Sequence, residues 1–182
     1  REPAQYEQRF AAFDRFYASV CGGLFLPRYY KTGATYPDWN NEVLFLALNS
    51  CWNVDHYYKA RASVRDDALA PLSEFSGEPF KHWLKIAVCH HPVTGPRAMS
   101  DGFLGELVGD EDFQILMHGH LLEGTNESFH SRHSGGLHIV GAGTFGRAAR
   151  RRGDTPYQYN LLIADRSTGV VTVHTRKKQE PD

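Results

Sequence analysis

The sequence predicts an α/β fold: a mixed β-sheet with flanking helices. Three features predict it. Residues 42–48 (EVLFLAL) form a nearly continuous apolar run of strand length. Residues 85–89 (KIAVC) and 113–117 (FQILM) bracket a helical segment, giving strand, helix and strand within about 35 residues. Residues 157–164 and 170–175 alternate around a polar turn at 165–169, as an antiparallel hairpin does.

Taken in chain order, the first element is a helix over about residues 4–20. Tyr6, Phe10, Phe13, Tyr17 and Val20 recur at steps of three and four, and Gly22-Gly23 ends it. Residues 22–41 hold glycine, proline and several tyrosines and read as a long ordered loop. The 42–48 run reads as a strand buried on both faces. Residues 61–75 read as a helix with Val64, Leu69 and Leu72 turned inward. A short helix follows over about 101–108, with Asp101 as its cap. The strands 85–89 and 113–117 are then expected to be parallel, with a right-handed crossover. After them, 137–140 reads as part of an antiparallel remainder.

Composition narrows the function classes. The 182 residues carry 20 basic and 21 acidic side chains, for a net charge of −1. That balance argues against a whole-domain electrostatic grip on nucleic acid, although nucleic acid as a substrate stays open. No apolar run approaches the ~18 residues of a membrane span, so no membrane partner is expected. Three cysteines (Cys21, Cys51 and Cys89) without metal-type spacing fit reduced thiols and a cytoplasmic setting. Charge is uneven: residues 1–146 sum to −5 and residues 147–182 to +4. The densest cluster is Arg147, Arg150, Arg151 and Arg152, a solvated loop or a phosphate-contacting patch.

The chemistry lies in the histidines. His90-His91-Pro92 follows one predicted strand directly, and His118-Gly119-His120 follows the other. Parallel strands bring both clusters to one carboxyl edge of the sheet, where open α/β sheets bind ligands. Imidazole is the commonest metal ligand near neutral pH, so His90, His91, His118, His120 and also His130 are candidates. Other motifs carry less. GAGTFG at 141–146 fits G-x-G-x-x-G, but about ten residues to Pro156 are too few for a crossover helix and second parallel strand. It reads as a sheet-edge loop. Arg152-Gly153-Asp154 and Asn126-Glu127-Ser128 read as chance matches to adhesion and glycosylation motifs. Asp55-His56 reads as a surface pair, His133 and His138 as hairpin residues, and His174 as a strand residue.

KIAVCHHPVTG, followed about 28 residues later by ILMHGHLLEG, resembles the C-terminal half of a calcineurin-like metallophosphoesterase of bacterial type. LFLALNSC, GLHIVGAGTFG and PYQYNLLIAD extend the resemblance over about residues 40–176. It implies a β-sandwich with α-β-β-α layers, of which residues 1–182 form the C-terminal portion of one domain. It implies a metal-dependent phosphatase or phosphodiesterase using two divalent ions (Mn, Fe or Zn) about 3.5 Å apart and a metal-activated hydroxide. His90 maps onto the metal ligand of the His-His-Pro turn, and His120 onto the first histidine of Gly-His-x-His. The second falls on Leu122, which cannot ligate, so His118 or Glu123 would have to reach in. A shifted register would instead pair His118 with His120, but puts Met117 in the glycine position. His91 and Arg147 are the candidates for contact with the phosphoester substrate. The bridging aspartate, the asparagine ligand and the leaving-group histidine are expected upstream of Arg1, in an upstream half of the same domain, and the 182 residues alone are expected to be inactive. The competing reading is a degenerate phosphoesterase fold kept for regulation or partner binding.

Overall fold

The computed structural model describes residues 8, 11–20, 33–55, 57, 60–65, 67–75, 77–99, 112–121, 124–129, 136–144 and 156–178. It is a mixed α/β arrangement with few helices, dominated by one six-stranded sheet and a separate two-stranded hairpin. The strands are β1 (Gly33–Asp38), β2 (Val43–Leu48), β3 (Leu84–Cys89), β4 (Ile115–His118), β5 (Thr125–Phe129), β6 (Leu137–Gly141), β7 (Gln158–Asp165) and β8 (Val170–Lys177). In the large sheet they lie in the order β1-β2-β3-β4-β6-β5. The pairs β2–β3, β3–β4 and β4–β6 are parallel, whereas the edge strands β1 and β5 run antiparallel to their neighbours.

The expected parallel pair is present, with Cys89 opposite His118 at its carboxyl end. Four expectations need correction. Residues 33–38 are not loop but strand: Pro37 sits opposite Leu44 on an edge, where a missing N–H costs no ladder bond on the open side. Residues 61–75 do not form an α-helix. Turns lead into a short 3₁₀ helix, Ala70–Phe75, because Pro71 has no N–H for a continuing helix and is tolerated only in a first turn. Leu72 is nevertheless buried, with Val64 and Leu69 packed beside the core. The 137–141 strand is parallel to β4, and its antiparallel partner is β5. The run 43–48 is buried on one face only: Leu44, Leu46 and Leu48 are buried, whereas Phe45 is exposed.

Those leucines join Ala87, Cys89, Leu116 and Ile139 in one core, closed by Ala68, Leu72, Phe80, Trp83 and Phe113. Phe80 makes edge-to-face contacts with Trp83, Trp39 and Phe75 at centroid distances of 4.8, 5.2 and 5.0 Å. The first helix is seen as α1 (Ala11–Val20). Of its apolar positions Phe13 and Val20 are 58% and 65% exposed and Tyr17 is half-buried, whereas Tyr6 and Phe10 lie outside the described residues. The crossover helix expected at 101–108 lies outside the described residues, as do Gly22 and Gly23.

The β7–β8 hairpin is tied to the sheet at both ends. Arg166 donates to Asn41 O, Glu42 Oε2 and His82 O at 3.2, 2.8 and 2.9 Å. At the other end Asn160 Nδ2 donates to Gly141 O at 3.1 Å. The Gln158 side chain packs so closely on Gly143 that a Cβ there would overlap it. Among the described residues, no helix is long and apolar enough to cross a membrane.

Candidate metal centre

Two turns build the site, each placed by the rigid strand before it. β3 ends at Cys89 and releases His90 and His91, and β4 ends at His118 and releases Gly119 and His120. Gly119 N–H donates to His90 O at 3.1 Å, so the turns are stitched together just past the ladder. His120 has φ +66°, left-handed backbone that a non-glycine residue rarely adopts and that clusters at functional sites.

This conformation turns the His120 ring onto His90, with Nδ1 3.2 Å from His90 Nε2. Metal–nitrogen bonds of about 2.1 Å subtend roughly 100° across such a gap, which suits one shared ion. His91 completes the group. One ligand atom from each of His90, His91 and His120 lies within 4.8 Å of the others. Ring centroids are separated by 5.1 Å (His90–His120), 4.9 Å (His90–His91) and 4.7 Å (His91–His120). Burial, followed by repulsion from His120 and His90, pushes the His91 pKa down to about 4. His120 is lowered by burial, then by His90, Arg97 and His118. Neutral imidazoles at pH 7 are the form that binds metal. The group fits a nitrogen-liganded cation such as Zn²⁺, Mn²⁺ or Fe²⁺, and includes no carboxylate among the described residues.

His118 stands apart from this group. As the last residue of β4 it falls on the buried face, 3% exposed, with Nδ1 3.0 Å from Gly119 O. Its ring lies against Gly141, where any Cβ would meet His118 Cε1 at 2.7 Å and overlap the Thr125 hydroxyl. His118 Nε2 and Thr125 Oγ1 are both buried without a hydrogen-bond partner among the described residues. Alternation alone would put His118 and His120, two residues apart, on one face; the left-handed backbone at His120, past the end of β4, is what separates them. Arg147, Leu122, Glu123, His56, His130 and His133 lie outside the described residues. His138 is a half-buried strand residue of β6, and His174 lies on β8.

The sequence reading missed Ser50. It follows β2 in the turn that Asn49 Oδ1 braces by accepting Cys51 N–H at 2.9 Å. Ser50 Oγ accepts the N–H groups of both His90 and His91 at 3.1 Å and sits 3.0 Å from His91 Nδ1. The β2–β3 register pairs Ala47 with Val88, and three residues further on it carries Ser50 to His91. The available signal was a small hydroxyl residue just past an apolar strand, beside the strand that delivers the histidines. Cys89 adds a second brace: its Sγ donates to His91 O at 3.2 Å, and burial pushes the thiol pKa up to about 12. No protein-family model matches this chain, and no curated protein does.

Proposed function

We propose that the chain is the histidine-bearing, C-terminal portion of a metal-dependent phosphoester hydrolase, a calcineurin-like phosphatase or phosphodiesterase with two-sheet α-β-β-α layering. The observation that carries this reading is the meeting of His90 and His120, 30 residues apart, at 3.2 Å on the carboxyl edge of two parallel strands. His90 and His120 would hold the cation, one of two when upstream carboxylates complete the centre. Bound divalent ions supply Lewis-acid polarisation of a phosphoryl group and activation of its nucleophile. The chain's own part is to hold two imidazoles at fixed separation on rigid strand ends. In this reading the protein works in the cytoplasm, in keeping with the reduced, buried thiol of Cys89.

The test uses the chain extended upstream, turning over a chromogenic phosphodiester with Mn²⁺. His90→Ala and His120→Ala are each expected to abolish turnover while leaving the melting temperature nearly unchanged, because both side chains are exposed. A large stability loss with activity per folded molecule intact would make these histidines structural. Leu122 at a ligand position and the all-imidazole group favour a second reading, a non-catalytic phosphoesterase fold used for regulation or partner binding. Metal binding without turnover in the extended protein would decide for it.

A further inference from the structure

We propose that His91 is not a metal ligand but an N–H donor to an anionic oxygen, a phosphoryl oxygen on the cation held by His90 and His120, with Ser50 as the positioning residue that sets its tautomer. The phosphoryl part rests on the function proposed above; the tautomer does not.

Valence at the Ser50 oxygen decides the tautomer. A serine hydroxyl has two lone pairs and one proton. The Ser50 side chain is 1% exposed, and three polar groups of the histidine turn surround its Oγ. Two of them, the main-chain nitrogens of His90 and His91 at 3.1 Å, can only donate. They occupy both lone pairs, which leaves the hydroxyl proton for the third group, His91 Nδ1 at 3.0 Å. His91 Nδ1 is therefore an acceptor, and the neutral ring carries its proton on Nε2. Making Nε2 a ligand would move that proton to Nδ1. That N–H could turn to the Ser50 carbonyl or to Cys51 Sγ, 4.0 Å away, but the buried hydroxyl proton would lose its acceptor.

Neither His90 Nε2 nor His120 Nδ1 meets such a constraint, since each faces the other. A cation binding between them would displace any proton held there to solvent. The His91 ring lies 4.7 Å from the His120 ring and 4.9 Å from that of His90, beside any anion bound there. The three histidines thus divide into two ligands and one donor. That division suits an anionic ligand, because a donor beside the cation adds a directed hydrogen bond to the charge attraction.

The test is long-range ¹H–¹⁵N correlation of ¹⁵N-histidine-labelled protein at pH 7.5: metal-free, with Zn²⁺, and with Zn²⁺ plus inorganic phosphate. The expected metal-free spectrum shows His91 with a pyrrole-type Nε2 and a pyridine-type Nδ1. Zinc should shift His90 and His120 while His91 keeps that pattern, and phosphate should then shift His91 Nε2–H. In titrations, His91→Phe is expected to hold zinc within roughly threefold and lose phosphate by at least about tenfold. His91→Gln, which keeps an N–H donor, should recover most of that loss. A protonated Nδ1 in the metal-free protein, or zinc on His91 Nε2, would overturn the inference. If zinc does not bind at all, the metal-dependent function fails, and with it the phosphoryl role. The metal-free tautomer still decides whether Ser50 sets His91.

Discussion

Replacing Ser50 with alanine removes the one oxygen that three groups of the histidine turn share. The main-chain N–H of His91 is buried and loses its acceptor, so it bears a desolvation cost of about 1–3 kcal/mol. The His90 N–H is part-buried, and water can recover much of its loss. His91 Nδ1 loses its donor in a ring that is itself buried, adding about 1 kcal/mol. Together these give a destabilisation of about 3 kcal/mol. For a chain of this length that corresponds to a fall in Tm of roughly 6–12 °C. The assay is thermal and urea unfolding of the metal-free protein followed by circular dichroism. Ser19→Ala is the control, because the Ser19 hydroxyl donates to Phe16 O on an exposed helix face and should change stability by less than about 0.5 kcal/mol. If Ser50→Ala fell within that control range, Ser50 would not be the shared partner of the histidine turn, and the tautomer argument would fall with it.

Three further outcomes follow from particular contacts. Gly141→Ala should cost about 1–3 kcal/mol in urea unfolding, since its methyl group would overlap the Thr125 hydroxyl and press on the His118 ring; an unchanged midpoint would refute that packing. Cys89 has a folded pKa near 12 against 9.0 when free, so its contribution is complete below pH 9 and is lost as pH rises towards 12. Wild type should therefore lose about 1.4 kcal/mol more than Cys89→Ala between pH 8 and 10, and parallel pH curves would contradict the burial. The 182-residue chain alone should bind Mn²⁺ weakly and hydrolyse no chromogenic phosphodiester, because among the described residues no carboxylate joins the His90 and His120 imidazoles to hold two cations together; turnover equal to that of the upstream-extended chain would sink the ligand assignment.

Strands that carry their own apolar run were legible in the chain. β2, β3 and β4 show as dense hydrophobic stretches, and the β7–β8 hairpin shows through alternation and its polar turn. Edge strands were not. GATYPD and TNESF hold a few strand-favouring residues but no apolar run, and they are strands because β2 and β6 offer them unpaired backbone groups. The inward spacing of Val64, Leu69 and Leu72 correctly marked residues that approach the core, but Pro71 changed the element that delivers them.

The same division holds for the site. An apolar run ending in histidine is local information, so the arrival of His90 and His120 at one sheet edge could be read from order and spacing alone. Which histidines would meet could not. That depended on the Cys89–His118 register, on strand alternation sending His118 to the buried face, and on the left-handed backbone that turns His120 back onto His90. Ser50 lies 40 residues from His90, and only the parallel pairing of β2 with β3 makes them neighbours. Side-chain chemistry and strand-forming tendency are properties of short stretches. The identity of a neighbour across the sheet is a property of register, which only the assembled sheet specifies.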